Sequence, residues 1–399
     1  MRITSVEVIP IRTPDEGLRE APKRSWWVTT PFSHFTAAHD LHKTIHGTPP
    51  DGVENLVVRI TTDDGLTGLG NVMVGVAAAR SIIEFHLAPI LLGASPFDRE
   101  LLWETMFRST LNYGRKGAAI AAISGVDIAL WDLVGHATGQ PVYNLLGGRT
   151  RDTIRCYASQ LYATTDLDGL AAEARDLVAQ GFTALKQRIG YSPADGPAGV
   201  RKNLELIRTV RDAVGPDVEL AADAYMGWTV PYAVRMIRAI EDAGLQLAWL
   251  EEPVLPDDIV GYAEIARAVD TPIAGGEHEF TRYGFRELIE RGAVDVVQLD
   301  VNRVGGITEA DKIWAMAAGA GLPVLPHAGQ AHNYHLIMAH LNSPIAEFFP
   351  EFVPPVGYTL FWRIFTGESV PENGSISLSD RPGLGLALNE TFVAAQRAA

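Results

Sequence analysis

Cysteine and secretion features are almost missing from this chain. Cys156 is the single cysteine among 399 residues, so an internal disulfide and a zinc site built on cysteine thiolates are both excluded. The first residues read MRITSVEVIPIRTPDEG and contain neither the basic segment nor the apolar stretch of a secretory signal. These features favour a reducing compartment and predict a cytoplasmic protein.

Clustered positive charge is also missing. The formal net charge is −15 and no Lys/Arg cluster interrupts it, which argues against nucleic acid as a partner because such surfaces are basic. We expect no membrane partner, because no apolar run approaches the length of a membrane span. No glycine-rich nucleotide or phosphate loop follows a strand, so a nucleotide-binding protein is disfavoured.

What the sequence does contain is a pattern of apolar residues that changes along its length. Residues 1–70 alternate like an antiparallel sheet, with a hairpin signal at Asp63-Asp64-Gly65, and a helical pattern fills about 77–138. Short apolar runs then begin 23 to 35 residues apart, near Ile154, Ala184, Glu219, Ala248, Ile273, Val296, Pro323 and Ala346. Runs that alternate with helical segments predict a parallel sheet, and eight of them predict an α/β fold with a (β/α)8-type barrel.

We therefore predict three parts. Residues 1–125 form an α+β capping domain that carries the specificity loops, residues 126–350 form the catalytic barrel, and residues 351–399 return to pack on the cap. The segment 15–50 is rich in aromatic and imidazole side chains that could close over a substrate, namely Trp26, Trp27, His34, His39, His42 and His46.

Charged side chains recur at the predicted strand ends, where barrels of this type keep their active sites. In chain order they are Lys186 with Arg188, Asp223, Glu251, Glu277, Asp300, His327 and Glu347. Three carboxylates on consecutive strands would repel one another without a cation, and all-oxygen ligation favours Mg²⁺, with Mn²⁺ as a second choice. We expect Glu252 to point away from this group and to pair elsewhere. Taken singly, an acid at a strand end is more often a helix N-cap or a solvated rim residue, and His327 alone could be a hydrogen-bonded core histidine.

These motifs resemble the enolase superfamily, in its mandelate racemase/muconate lactonizing enzyme branch, over almost the whole chain. The resemblance rests on the order of the acids, on the His327/Asp300 pair and on the segment DIALWDLVGHATGQPVYNLLGG. Within the branch, TPFSHF, ADGPAGVRK, GEH and SPIAEFF resemble sugar-acid dehydratases of the L-rhamnonate type. The resemblance implies a homo-oligomer whose partner is a small sugar acid.

The resemblance also implies residue roles. Asp223, Glu251 and Glu277 would bind the metal, and His327, oriented by Asp300, would act as the acid/base group. Lys186, Arg188 and Glu347 would complete the catalytic set. The substrate would be held by His34, Arg188, His278 and Glu347.

The implied reaction is removal of the α-proton followed by loss of the 3-hydroxyl, which yields a 2-keto-3-deoxy sugar acid. Arg188 stands where a racemase would place its second base, and arginine stays protonated, so two-base racemisation is disfavoured. Two alternatives remain open at this point: a racemase, epimerase or cycloisomerase that uses Lys186 as its base, and a non-catalytic protein that binds sugar acids.

Overall fold

The computed structural model describes residues 1–13, 27–35, 53–350 and 361–397. Four side chains of the predicted substrate-covering loop, Trp26, His39, His42 and His46, lie outside the described residues.

The first domain is an antiparallel sheet covered by helices. Its strands β1 to β3 pair in the order β1-β2-β3 and span Ile3–Thr13, Val53–Thr62 and Thr67–Val72. The predicted hairpin turn at 63–65 joins the last two. The helices that follow are α1 Val76–Ile82, which continues through a π-helical turn Ile83–Leu87 into α2 Ala88–Leu91, then α3 Arg99–Ser109 and α4 Ala118–Thr138.

Helix α4 is the central element of the molecule. It is long and apolar enough to cross a membrane, and it is the only such helix in the described ranges; our expectation that no apolar run reaches that length was therefore wrong. Its most apolar window is 94% buried, which is typical of a core helix. Ile120 and Ile123 pack in the core of the first domain, whereas Ile128 and Trp131 pack in the core of the barrel.

The barrel is a curved parallel sheet whose strands alternate with helices, as predicted. Its strands pair in the order β10-β4-β5-β6-β7-β8-β9. They span β4 Ile154–Gln160, β5 Ala184–Arg188, β6 Glu219–Asp223, β7 Leu250–Glu251, β8 Ile273–Gly275, β9 Val296–Val297 and β10 Ala346–Phe348. The run predicted at Pro323 contributes only a bridge between Val324 and Val297, because proline has no N–H to donate.

The helices of the barrel lie between these strands. After α5, Val142–Leu145, they are α6 Leu167–Ala179, a 3₁₀ turn at Pro193–Asp195, α7 Gly196–Val214, α8 Val230–Asp242, α9 Ile259–Ala268, α10 Thr281–Glu290, α11 Val301–Val304, α12 Gly306–Gly319 and α13 Ala331–Ala339.

The carboxyl-terminal part touches both domains. It contains α14 Phe361–Ile364, β11 Phe365–Thr366, β12 Ser375–Ile376, β13 Ala387–Leu388 and α15 Glu390–Arg397. Strand β12 pairs with β4 of the barrel, while Glu390 forms an ion pair with Arg59 of the cap at 2.6 Å. The boundary that we placed between residues 125 and 126 lies inside α4, and the three-part division stays a prediction.

Candidate active site

The predicted acids lie side by side at the carboxyl ends of adjacent strands. Asp223 and Glu251 are paired positions of β6 and β7, and Glu277 follows β8 by two residues. All three side chains are almost completely buried. Carboxylates are costly to bury without compensating charge, so the positive charges around them decide what this cluster can do.

Two buried cations from β5 supply that charge in this structure. Lys186 donates to both carboxylate oxygens of Glu251 at 2.7 and 2.8 Å, and its Nζ lies 2.7 Å from Glu347 Oε1. Arg188 binds Asp223 through Nη1 and donates to Ser159 through Nη2 at 2.9 Å. Burial alone would lower the pKa of Lys186, but Glu251 and Glu347 raise it above its ordinary value. The ammonium group is therefore firmly protonated.

The cluster nevertheless keeps an excess of negative charge. Burial raises the pKa of Glu251 to about 8, with Asp223 and Glu347 adding to the increase and Lys186 opposing it. Lys186 and Arg188 serve three carboxylates, those of Asp223, Glu251 and Glu347, so the β5 side of the cluster has one more acid than cation, which suits a divalent ion.

The described residues contain one group of three whose potential metal-ligating atoms lie within 4.8 Å of one another. It differs from the predicted metal set and consists of Glu252, Glu277 and His278. The predicted metal set shares only Glu277 with this trio. The physical reason is that Lys186 and Arg188 engage Glu251 and Asp223. Glu252 pairs outside the predicted metal set, as expected, because both of its oxygens lie within 2.9 Å of His278 Nδ1. Our expectation that it points away was wrong, since its carboxylate lies within 4.8 Å of Glu277; its left-handed φ of 42° breaks the strand alternation on which that expectation was based.

Glu277 is flanked by two histidines. His327 Nε2 lies 3.5 Å from one of its oxygens, and His278 Nδ1 lies 3.5 Å from the other. Arg303 donates to Glu277 Oε1 at 3.1 Å, and these cationic groups hold the pKa of Glu277 below its usual range although burial opposes them.

His327 and Asp300 form the predicted pair. The imidazole Nδ1 lies 2.8 Å from Asp300 Oδ2, which leaves Nε2 directed at the cluster. Burial lowers the pKa of His327, but Glu277 and Asp300 more than reverse this and bring it to about 9. Asp300 is itself fixed by the backbone N–H of Asn302 at 2.8 Å and by Arg303 Nε at 3.2 Å. The pair is thus buried, oriented and adjacent to an acid of the cluster.

Residues 27–35 cross the carboxyl ends of β5 and β6. Thr29 bonds through its backbone N to Ile189 O at 2.9 Å and through Oγ1 to Ala224 O at 2.6 Å. His34 Nε2 lies 3.3 Å from the carbonyl oxygen of Met226, and the neighbouring ring of Tyr225 packs edge-on against His278. His34 and His278 thus each contact one of the two residues Met226 and Tyr225 beyond β6, and their contact with a substrate stays a prediction.

Three functional-looking side chains escaped the sequence reasoning. Gln298 donates to Glu251 at 2.7 Å, and its spacing of two from Asp300 was the available signal. Glu252 was dismissed because strand alternation would place it outside. Arg303 sits one turn beyond Asp300, and nothing in the sequence distinguishes it from a surface arginine.

Comparison with known proteins agrees with this geometry. The family model for the mandelate racemase/muconate lactonizing enzyme N-terminal domain matches residues 41–147, and the enolase C-terminal domain-like model matches residues 169–392. The chain is 42% identical over 342 residues to L-rhamnonate dehydratase of Saccharopolyspora erythraea, which covers 84% of this chain and 83% of that protein.

Solved structures agree as well. Rhamnonate dehydratase from Gibberella zeae complexed with Mg has a TM-score of 0.85 at 32% identity and covers 99% of this chain and 95% of its own. The 3,6-anhydro-D-galactonate cycloisomerase from Zobellia galactanivorans has a TM-score of 0.82 at 28% identity and covers 99% of each chain. The chain is a member of the enolase superfamily, in its mandelate racemase/muconate lactonizing enzyme family.

Proposed function

We propose that this protein is a Mg²⁺-dependent hydro-lyase that dehydrates a sugar acid, an aldonate of the L-rhamnonate type. The observation that carries the proposal is the buried His327–Asp300 pair, with Nε2 directed at the acid cluster. The 42% identity to an L-rhamnonate dehydratase supports the choice of reaction and substrate class.

The residues present fit a magnesium ion. Asp223, Glu251 and Glu277 offer the oxygen ligands that Mg²⁺ prefers. The pKa of Glu251 is raised first by burial and then by the neighbouring acids, and a bound cation would oppose that rise. When bound, Mg²⁺ would stabilise the extra negative charge that develops on a deprotonated substrate carboxylate.

His327 performs the proton transfers in this mechanism. The step requires neutral His327, a form that a cation held beside Glu277 would favour by offsetting the charge that raises the pKa of the imidazole. Asp300 then accepts the Nδ1–H, the lone pair of Nε2 takes the α-proton, and the electron pair of the broken C–H bond passes into an enediolate. The enediolate expels the 3-hydroxyl as its C–O bond breaks, and the protonated His327 returns its proton to that group, which leaves as water. The enol tautomerises to the 2-keto-3-deoxy acid.

Lys186 does not compete for the base role. Its Nζ is buried between Glu251 and Glu347 and stays protonated, and the Arg188 guanidinium is likewise a permanent cation. Both groups hold negative charge in place. This arrangement argues against the alternative in which Lys186 abstracts the proton.

A substrate screen tests the proposal. Aldonic and aldaric acids are incubated with the enzyme and Mg²⁺, and the 2-keto-3-deoxy product is assayed. We expect turnover of L-rhamnonate or a stereochemical relative, and loss of turnover on chelation. Failure to dehydrate any acid of the panel would exclude this function and leave the other two readings, an epimerase or cycloisomerase and a sugar-acid binding protein.

The similarity to a cycloisomerase favours a test of a second reaction, epimerisation or cycloisomerisation of the sugar acid. Incubation in deuterated buffer separates dehydration from this reaction, because an epimerase or cycloisomerase exchanges the α-proton of its substrate without forming a keto-deoxy acid.

We also propose a cytoplasmic location and a homo-oligomeric state. Light scattering on the purified protein measures the oligomeric state.

A further inference from the structure

His327 lies on a tight turn that is anchored on several sides. Its backbone N donates to Leu299 O at 2.9 Å, next to Asp300. The following residue, Ala328, adopts a left-handed φ of 70°, which costs a residue with a side chain on the order of 1 kcal/mol. Its N–H donates to Glu347 Oε2 at 2.8 Å. A strained conformation persists only where surrounding contacts enforce it, so the contacts of this turn matter for the imidazole.

Asn333 supplies the remaining contacts. It lies in the first turn of α13 and is 1% exposed. Its amide nitrogen donates to the carbonyl oxygen of His327 at 2.8 Å and also to that of Ala328. One NH₂ group therefore holds both carbonyls of the strained turn, while Glu347 holds its Ala328 N–H.

The other half of this amide contributes no fold stability. Asn333 Oδ1 is buried, and no donor in the described part of the chain bonds to it. An unsatisfied buried acceptor costs about 1–3 kcal/mol, so the residue is a poor choice for stability alone. A buried group of this kind calls for a functional reason, and the two carbonyl contacts to the His327 turn provide one.

We propose that Asn333 is a positioning residue that fixes the backbone of His327 and thereby holds Nε2 in line with the substrate α-carbon. This inference rests on the proposed dehydratase function. Asn333 does not touch the reacting atoms. It acts through the backbone of His327, whereas Asp300 acts on its ring.

The test compares Asn333→Ala with Asn342→Ala. Asn342 also donates its amide to backbone carbonyls, those of Trp314 and Leu322, but it has no contact with the His327 turn. We expect Asn333→Ala to lower kcat about 10- to 100-fold, because small displacements of a catalytic group have effects of this size, with KM within about twofold of wild type. Asn342→Ala should retain wild-type kcat.

A second readout does not depend on turnover. The proton between His327 Nδ1 and Asp300 is observed by NMR and assigned by its absence in His327→Asn. It should shift or broaden in Asn333→Ala and stay unchanged in Asn342→Ala. If Asn333→Ala does not fold, Asn333→Asp takes its place in both measurements. Aspartate keeps the shape of the asparagine side chain but offers one donor proton at most. Wild-type kcat and an unchanged proton signal in a folded variant overturn the inference; a wild-type protein that dehydrates nothing overturns the function instead.

Discussion

His327 is the side chain on which the proposed chemistry depends most. Replacement by Asn deletes the base and the acid together, so we expect dehydration and α-proton exchange both to fall by about 10³-fold or more. Asp300→Asn should be milder, because it misorients the ring without removing it. The measurement is the exchange rate at the substrate α-carbon in deuterated buffer, followed by NMR.

Circular dichroism of the variant serves as its control, since an unchanged spectrum shows that the fold survives. Exchange close to the wild-type rate in His327→Asn would assign the proton to another group, and the one-base mechanism would fail.

Lys186 is the second decisive side chain, because it compensates two buried carboxylates at once. We expect Lys186→Ala to destabilise the metal-free protein by about 3–5 kcal/mol, the usual result of removing one partner from a buried ion pair. Added Mg²⁺ should recover part of this loss. Unfolding midpoints in denaturant, with chelator and with Mg²⁺, give the two values.

Lys116→Ala is the matched control for that substitution. Lys116 pairs with the buried Glu279 at 2.9 Å, but its own side chain is about half exposed, so its removal should cost about 1 kcal/mol or less. Equal losses for the two lysines would show that the cluster does not depend on the charge of Lys186.

The strands show how far the sequence determined the structure. Six of the eight predicted runs begin at the observed first residue of a strand, from Ile154 to Ala346, because buried parallel strands are apolar runs cut by turns and need no other signal. Strand β7, predicted to begin near Ala248, begins two residues later at Leu250. The run predicted at Pro323 forms only an isolated bridge. The superfamily was recognisable from the same strand ends.

Side-chain partners were harder to predict than strand positions. The contact between Lys186 and Glu251 joins two strands that are not neighbours, and Asn333 reaches the His327 turn from the following helix. Such contacts depend on curvature of the sheet and on helix placement, which single-sequence periodicity does not encode. A residue with a left-handed backbone, such as Glu252, also interrupts the alternation of side chains along a strand. The predicted direction of the Glu252 side chain was based on that alternation.

The packing of β3 on α4 provides a test of element contacts. A Cβ on Gly70 would lie 2.1 Å from the carbonyl oxygen of Gly125, so the strand and helix approach too closely for any side chain. We expect Gly70→Ala to destabilise the protein by about 2 kcal/mol or more, since overpacking costs of 1–3 kcal/mol are typical. Differential scanning calorimetry measures the change.

Gly319→Ala is the comparison for that prediction. Gly319 is the last residue of α12, and among the described residues no atom outside its own helical turn lies within 4 Å of a Cβ placed there. Alanine should therefore be neutral or stabilise by up to about 1 kcal/mol. A Gly70→Ala protein as stable as Gly319→Ala would contradict the close approach.

The molecule as a whole should respond to pH through its acid cluster. Glu251, with a pKa of about 8, and His327, with a pKa of about 9, both bind protons more tightly when folded than when unfolded. The stability that His327 contributes is complete below its ordinary pKa of 6.5 and is lost as the pH rises through 9; that of Glu251 is lost as the pH rises through 8. Metal-free protein should therefore lose on the order of 2–5 kcal/mol between pH 6.5 and 9.

Magnesium should reduce that loss, because a cation at the acids replaces the protons that high pH removes. Thermal unfolding at both pH values, with chelator and with Mg²⁺, measures the difference. A chelated protein with the same Tm at pH 6.5 and pH 9 would contradict the charge assignment of the cluster.

Helix α4, shared between the two hydrophobic cores, sets limits on how this architecture can be recombined. A cap exchanged between relatives with a cut at residues 125/126 would separate Ile120 and Ile123 from Ile128 and Trp131 on one continuous helix. Both cores would then have to repack against foreign residues at once. A crossover beyond Thr138, where the helix ends, leaves the helix intact on its own cap. In shuffled or evolving lineages, this helix should be inherited together with the cap. A cap and a barrel from different relatives should therefore be joined beyond the end of α4.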